Sequence, residues 1–246
     1  MSTPDESLAP GLVVVTGAGG DLAGTVVPYL AQRGWRVALT ARPGNEGPTA
    51  ARFAALQASG ADVRTFPVDL ASPAAVEAAF AKVRAELGKA TALVHLAGRF
   101  EGGPAANAGP SATAAALERT LDGNLRSAVN AISAVLPDML AARSGAIVAV
   151  GAAAAISPAP GSVAYAAAKG ALVAYLRSLA AQVGKEGVSV GCIMPAGAFD
   201  TPGNHAAMPN GDASGWIAAS AFAEAVAFIL SRRPRGFVHE LPLSAR

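Results

Sequence analysis

The chain of 246 residues contains a single cysteine, Cys192, and only three histidines, His95, His205 and His239. One cysteine cannot form an intramolecular disulfide and rules out a metal site built from a cysteine cluster. The histidines lie too far apart in the sequence to show the short ligand spacings of zinc sites. Because a chain of this length buries roughly 70–75% of its unfolded surface, we expect a hydrophobic core to suffice without a disulfide or a metal.

Charged residues are also scarce, at 15%, and 19 Lys and Arg against 17 Asp and Glu leave a net charge of +2. The basic residues are scattered, which argues against a nucleic-acid partner. No window of about 18–20 residues is apolar enough to span a bilayer without interruption by charge, proline or glycine. Residues 1–10 carry Asp5 and Glu6 without the basic region of a signal peptide. We therefore expect a flexible N-terminus at 1–10, no membrane partner and a cytoplasmic location.

Short β-type runs alternate with longer alanine-rich segments of helical period along the chain. The β-type runs are 12–15, 36–40, 62–68, 92–96, 146–150, 188–194 and 236–241, and the helical segments lie near 21–33, 48–59, 73–87, 112–142, 164–184 and 218–231. Continuous apolar strands separated by helices predict a parallel sheet with helices on both faces. Since no change of composition divides the chain, we predict one α/β domain over residues 1–246 with seven strands.

Two segments, 99–111 and 195–215, are rich in Gly, Pro, Asn and Asp and are predicted to be loops. Both follow strands at the carboxyl end, where ligands bind in open α/β sheets. A loop as long as 195–215 is usually functional or disordered. We predict that it forms a lid over a small-molecule substrate.

A glycine-rich turn follows the first strand, in the run Thr16-Gly17-Ala18-Gly19-Gly20-Asp21-Leu22-Ala23. Glycines here would let the backbone approach a pyrophosphate, and the next helix would supply amide donors at its N-terminus. The alternative is that the glycines only satisfy the geometry of a strand-to-helix turn. The position after the first strand of an alternating α/β chain favours a dinucleotide site.

The end of the second strand carries Arg42 and lacks the acidic residue that would bind the ribose 2′-hydroxyl of NAD. A guanidinium can instead pair with the 2′-phosphate of NADP. The alternative is a solvated arginine in a loop. We predict that NADPH is the preferred cofactor, with NAD possible.

Tyr165 and Lys169 are four residues apart at the start of a predicted helix, which places both side chains on one face. A nearby ammonium favours the phenolate, so we expect Lys169 to lower the pKa of Tyr165. Such a pair can act as a general acid or base toward a carbonyl oxygen or an imine nitrogen.

With these motifs in this order, the sequence resembles the short-chain dehydrogenase/reductase family over nearly its whole length. The shared pieces are Thr16-Gly17-x-x-Gly20-x-Leu22-Ala23, Val68-Asp69-Leu70, Leu96-Ala97-Gly98, Asn124-Leu125 and Tyr165-x-x-x-Lys169. The resemblance implies a Rossmann-type, doubly wound parallel sheet and an NAD(P)-dependent oxidoreductase.

The resemblance also implies a set of site residues. The implied cofactor contacts are Gly17, Gly19, Gly20, Asp21, Leu22, Arg42, Asp69, Leu70, Ala97, Gly98, Tyr165, Lys169, Pro195, Ala198 and Thr201. Asp69 and Leu70 would contact the adenine, and Thr201 the nicotinamide carboxamide. The implied catalytic residues are Tyr165, Lys169 and Asn124, with Asn124 holding a water in a proton relay to Lys169. The alternatives are that Asp69 is a helix cap and that Asn124 is a satisfied polar residue of its helix.

Four positions depart from the family pattern. Ala152 occupies the place of the usual catalytic serine, thirteen residues before the tyrosine, with Ser157 or Ser162 as alternative donors. Asp21 and Ala23 replace two of the common glycines. His95 replaces an asparagine, and we interpret it as a structural residue at a strand end. These departures resemble the dihydropteridine reductase branch of the family, which also has alanine in place of the serine.

The leading hypothesis is an NADPH-dependent reductase that transfers hydride to an activated C=O, C=N or quinonoid bond, with Tyr165 as the general acid. A missing hydroxyl donor costs on the order of 10²–10³ in rate for carbonyl chemistry, so an activated acceptor suits a site without it. The alternatives are an ordinary ketoreductase or alcohol dehydrogenase, and a non-catalytic NADP-binding protein. The family resemblance further implies a homodimer or homotetramer through helices 112–142 and 164–184.

Overall fold

A computed structural model describes residues 9–104, 107–157, 160–231 and 237–245. Of the expected flexible N-terminus at 1–10, residues 1–8 lie outside the described residues. The first residue of the predicted strand 236–241 lies outside them as well.

The core of the fold is one parallel sheet of seven strands in the order β3-β2-β1-β4-β5-β6-β9. The strands are β1 (Leu12–Thr16), β2 (Arg36–Ala41), β3 (Val63–Pro67), β4 (Ala92–His95), β5 (Gly145–Val150), β6 (Val188–Pro195) and β9 (Glu240–Leu243). A separate pair, β7 (Phe199–Asp200) with β8 (Ile217–Ala218), lies in the segment after β6. The predicted seven-stranded α/β architecture is confirmed, and the last strand begins four residues later than predicted.

The helices cover both faces of the sheet. They are α1 (Ala23–Ala31), α2 (Glu46–Arg52), α3 (Ala54–Ala58), α4 (Pro73–Leu87), α5 (Pro110–Leu121), α6 (Ser127–Ala142), α7 (Val163–Val183), α8 (Pro202–Ala207) and α9 (Ala219–Leu230). Because side chains alternate along a strand, Val13 and Val15 pack into the core with α1 and α9. Leu12 and Val14 point to the other face and pack into the core with α4, α6 and α7.

Two of the predicted helices are interrupted. The predicted helix 48–59 is wrong as a single element, since Phe53 leaves helical geometry and separates α2 from α3. The predicted helix 112–142 is divided by a π-helical turn at Asp122–Arg126, which joins α5 to α6. Helical periodicity alone does not distinguish such a turn from an α-helix, so the residue pattern does not predict it.

The chain order reverses between β1 and β4, which are neighbours in the sheet with helices leaving on opposite faces. In open α/β sheets this reversal leaves a crevice at the carboxyl ends of the two strands. Within the described residues, none of the helices combines the length and hydropathy needed to span a bilayer.

Candidate active site

A cavity of about 730 Å³ opens at the carboxyl ends of β1, β2, β3 and β4. Eight residues predicted to contact a dinucleotide line it, namely Gly17, Gly19, Gly20, Arg42, Asp69, Leu70, Ala97 and Gly98. The fold therefore brings together residues that are up to 81 positions apart in the chain, such as Gly17 and Gly98.

At Gly17 the glycine-rich turn has a backbone conformation that only glycine adopts readily. Its φ is +68°, and an ideal Cβ there would lie 2.6 Å from the main-chain nitrogen of Ala97. The N–H of Gly20 donates to the carbonyl of Gly17 at 2.9 Å and closes the turn. Because α1 begins at Ala23, the turn leads directly into a helix N-terminus, whose dipole favours phosphate groups.

Arg52 holds the outer side of the same turn. Its guanidinium donates to the carbonyls of Gly20 at 2.9 Å and Asp21 at 3.3 Å. Arg52 also lines the cavity together with Asn45 and Thr49. None of these three residues belongs to a motif recognised in the sequence, although their spacing of four and then three is that of one helical face shortly after Arg42.

Asp69 lies on the cavity wall and stabilises the turn after β3, where its Oδ1 accepts from the N–H of Ala71 at 3.0 Å. The alternative that Asp69 caps a helix is wrong. Helix α4 is capped by Ser72, whose hydroxyl accepts from the N–H of Ala75 at 3.4 Å.

Lys169 lies directly behind the cavity wall. Its ammonium donates to the carbonyl of Val150 at 2.7 Å, and an ideal Cβ on Gly98 would be 3.6 Å from its Nζ. The residue is only 4% exposed. Because burial disfavours the charged form, the pKa of Lys169 is lowered to about 8.

Tyr165 lies one helical turn before Lys169, with its ring centroid 5.8 Å from Nζ. The expectation that Lys169 lowers the pKa of Tyr165 is wrong. Burial penalises the phenolate and raises the pKa of Tyr165 to about 12, and at this distance the ammonium does not offset that penalty. The phenol is therefore protonated at neutral pH, which is the state that a proton donor needs.

Asn124 is fully buried in the π-helical turn between α5 and α6. Its amide nitrogen donates to the carbonyls of Arg99 at 2.8 Å and Thr120 at 2.9 Å, and its Oδ1 accepts from the N–H of Arg99 at 3.2 Å. These bonds agree with the alternative that Asn124 is a satisfied polar residue of its helix. Since both amide protons are used, a relay water held by this side chain would have to bond Oδ1, and the relay stays a prediction.

The first residues of the predicted loop 99–111 are held against the site. Glu101 accepts a hydrogen bond from Arg119 at 2.7 Å and forms an ion pair with Arg99 at 3.2 Å. The ring of Phe100, which is 72% exposed, meets the ring of Tyr165 edge-on with centroids 5.1 Å apart. An aromatic surface therefore lies next to the candidate proton donor.

Ala152 lies two residues after β5 and presents a methyl group at the position where the family that the sequence resembles has a serine. Of the alternative donors, Ser157 is exposed and Ser162 is buried at the start of α7.

The segment 195–215 is more ordered than the predicted loop, since it contains β7, α8 and a 3-10 turn at Ala213–Gly215. Pro195 ends β6, the carbonyl of Ala198 accepts from Ile217 at 2.8 Å, and the hydroxyl of Thr201 caps α8. These three predicted cofactor contacts, together with Asp21 and Leu22, lie outside the lining of the cavity. Asp21 contacts α8 through Gly203 instead.

Comparisons with known proteins agree with this architecture. The family model described as short chain dehydrogenase matches residues 11–210. The 2-(S)-hydroxypropyl-CoM dehydrogenase 3 of Xanthobacter autotrophicus is 30% identical over 75% of this chain and 70% of its own length. The 3-oxoacyl-(acyl-carrier-protein) reductase FabG of Chlamydia muridarum is 41% identical over 81 residues, which are 33% of this chain and only 32% of that protein. A metagenomic short-chain oxidoreductase solved in complex with NADP superimposes with a TM-score of 0.79 at 25% identity, covering 97% of this chain and 98% of that one.

Proposed function

The chain belongs to the short-chain dehydrogenase family, and from that premise we propose that it is an NADPH-dependent reductase of activated C=O, C=N or quinonoid bonds with Tyr165 as the general acid. The observation that carries this proposal is the protonated phenol of Tyr165 next to Lys169, whose ammonium adjoins cavity residue Gly98. The acceptor and the acid are the parts of the proposal that go beyond family membership.

The cavity suits a phosphorylated dinucleotide. Gly17 leaves room for close backbone approach, and the N-terminus of α1 suits a pyrophosphate. Arg42 lines the cavity at the end of β2, where a 2′-phosphate would distinguish NADPH from NADH. The NADP complex of the similar metagenomic oxidoreductase supports the same cofactor. When bound, a nicotinamide cofactor supplies the hydride for the reduction.

Tyr165 would supply the proton. At neutral pH its hydroxyl carries the proton that the acceptor oxygen or nitrogen takes up during reduction. Lys169, with a pKa of about 8, is mostly an ammonium at neutral pH and places a positive charge on the same helical face as Tyr165. Asn124 fixes the main chain of Arg99 at the edge of the same site.

The acceptor is proposed to be already electrophilic because Ala152 supplies no hydroxyl to stabilise a developing oxyanion. A quinonoid ring or a conjugated C=N bond needs less of that stabilisation than a simple ketone does. The resemblance to dihydropteridine reductases in the sequence points to the same acceptors, but none of the reported comparisons is with that branch.

A second candidate is an ordinary ketoreductase that functions without the serine. The match to a 3-oxoacyl-(acyl-carrier-protein) reductase favours it, since that relative's name describes reduction of a ketone. The two candidates share the cofactor, Tyr165 and Lys169, and differ in the acceptor.

The deciding experiment measures NADPH consumption by the purified protein with a quinonoid dihydropterin and, separately, with a simple β-keto ester. We expect faster turnover with the dihydropterin, and we expect Tyr165→Phe to lower it by about 10²-fold or more. Tyr175→Phe, on the same helix, is the matched control. An unaffected Tyr165→Phe variant would remove this residue from the mechanism. Turnover of the β-keto ester alone would establish the ketoreductase instead.

We also propose that the protein forms a homodimer or homotetramer through α5, α6 and α7, as the family resemblance implies. Val163, at the start of α7, is 75% exposed in the single chain, which suits a contact of this kind. Light scattering of the purified protein tests this, and a monomeric mass would contradict it.

A further inference from the structure

His95 lies at the carboxyl end of β4 and is 1% exposed. Its imidazole has a hydroxyl on each side, with the Oγ1 of Thr16 2.9 Å from Nδ1 and the Oγ of Ser127 3.4 Å from Nε2. Thr16 ends β1, and Ser127 begins α6 directly after the π-helical turn. One side chain thus joins three elements that surround the cavity.

The neighbouring contacts fix the direction of each hydrogen bond. The hydroxyl of Ser127 donates its single proton to the carbonyl of Gly123 at 2.8 Å, so its oxygen must accept from the imidazole. The Oγ1 of Thr16 accepts from the N–H of Ala97 at 3.3 Å and keeps its own proton for the imidazole. The neutral tautomer with the proton on Nε2 satisfies the hydroxyls of Thr16 and Ser127 and the N–H of Ala97 together.

Both ends of this chain of bonds are main-chain groups of residues that line the cavity, the N–H of Ala97 and the carbonyl of Gly123. Ala97 is also the residue against which Gly17 packs, so its position determines how the glycine-rich turn lies. Gly123 precedes Asn124, which holds the main chain of Arg99. The cofactor turn and the Asn124 turn are therefore connected through one imidazole.

We propose that His95 is a positioning residue for the cofactor cavity, holding the Ala97 and Gly123 walls in register through the hydroxyls of Thr16 and Ser127. The ligand named here, NADPH, rests on the proposed function, whereas the hydrogen-bond chain does not. His95 touches neither the substrate nor the reacting atoms and acts through these two walls.

The surroundings keep the ring neutral, as this role requires. Burial and, to a lesser extent, the charge of Lys169 lower the pKa of His95 to about 3 and outweigh a main-chain hydrogen bond with Ala97 that raises it. A protonated imidazole could not accept from Thr16, and the chain of bonds would break at that point. Neutrality also keeps a second positive charge away from the Lys169 ammonium.

The first test is spectroscopic and independent of any activity. Long-range ¹H–¹⁵N correlation spectra resolve the imidazoles of the three histidines, and the signal lost in His95→Asn belongs to His95. We expect that signal to show the Nε2–H tautomer and to stay unchanged between pH 5 and 8. The Nδ1–H tautomer, or titration within that range, would overturn the proposal.

The second test compares His95→Leu, Ser127→Ala and the double variant with the wild type. It measures the dissociation constant of NADPH by fluorescence and the kcat for reduction of the quinonoid dihydropterin. Each single change should raise the dissociation constant by roughly tenfold, as expected for a broken buried hydrogen-bond chain, and the double variant should be little worse than either. His239→Leu, at a histidine away from the cavity, is the matched control.

A purely structural His95 would lower the unfolding temperature without changing NADPH affinity or kcat in the folded protein, and that result would overturn the proposal. Additive effects of His95→Leu and Ser127→Ala would do the same. If His95→Leu fails to fold, Ser127→Ala and the tautomer still decide the matter. If the wild type does not bind NADPH, the proposed function fails, while the spectroscopic test of the hydrogen-bond chain stands.

Discussion

The carboxylate of Asp21 accepts a hydrogen bond from the main-chain N–H of Gly203 at 2.6 Å, across 182 positions of the chain. Asp21 belongs to the glycine-rich turn, and Gly203 to helix α8 within the segment 195–215. This contact joins the candidate cofactor turn to the segment that the sequence predicts to be a lid. It also gives a role to an acidic residue that replaces a common glycine of the family pattern.

Asp21→Ala should loosen the segment 195–215. Loss of a charge-assisted hydrogen bond should speed hydrogen exchange at the Gly203 amide by on the order of tenfold or more. Asp21→Asn keeps an acceptor oxygen, so its exchange rate at the Gly203 amide should lie between those of the wild type and Asp21→Ala. Asp212→Ala, which removes a local bond to Ser214 in the same segment, is the control and should leave the Gly203 amide unchanged. Equal exchange in Asp21→Ala and the wild type would show that the contact does not hold the segment.

Arg42→Ala should weaken NADPH binding far more than NADH binding. Arg42 is exposed at the cavity, so its guanidinium is available to a 2′-phosphate, and such a charge-assisted bond is worth roughly a factor of ten to a hundred. Titration of both cofactors measures the ratio of their dissociation constants. Arg64→Ala removes a surface guanidinium from β3 and controls for net charge. An equal loss for both cofactors would assign the 2′-phosphate to another residue.

Lys169 should make the protein more stable as the pH rises from 8 to 9. Its pKa is about 8 in the folded chain and 10.5 ordinarily, so in this interval the unfolded chain binds more protons and deprotonation favours the fold. The contribution of Lys169 to the free energy of unfolding should rise by about 1 kcal/mol between pH 8 and 9. Urea denaturation at the two pH values measures this rise, and Lys169→Met should abolish it. The Cys192 thiol, whose pKa is raised by burial from 9.0 to about 11, acts in the opposite direction, weakly between pH 8 and 9 and more strongly above pH 9.

Ala152→Ser distinguishes the two proposed acceptor classes. A hydroxyl at this position should increase the reduction of a simple ketone, by up to about 10²-fold, because it adds a donor to the developing oxyanion. Reduction of a quinonoid acceptor should change little, since it needs less of that stabilisation. Steady-state kcat/KM for both acceptors gives the comparison, with Ala154→Ser as the neighbouring control. A large gain with the quinonoid acceptor would contradict the explanation offered for Ala152.

The sequence by itself determined the fold class and eight residues of the cavity lining. Alternating apolar strands and helices specify a parallel sheet, and residues that follow its strands must meet at one edge, as Gly17, Arg42, Asp69 and Gly98 do. These are local signals, carried by residue type and by position relative to a strand end.

Only the tertiary structure decided how the polar groups pair and what burial does to their charges. The spacing of Tyr165 and Lys169 gives their shared helical face but not the desolvation that moves both pKa values. His95 and Asp21 stand in the sequence as isolated departures from a pattern, and their partners, Ser127 and Gly203, are distant in the chain. Hydrogen bonds and desolvation depend on distances of a few ångströms between groups that folding alone brings together, so no local signal contains them.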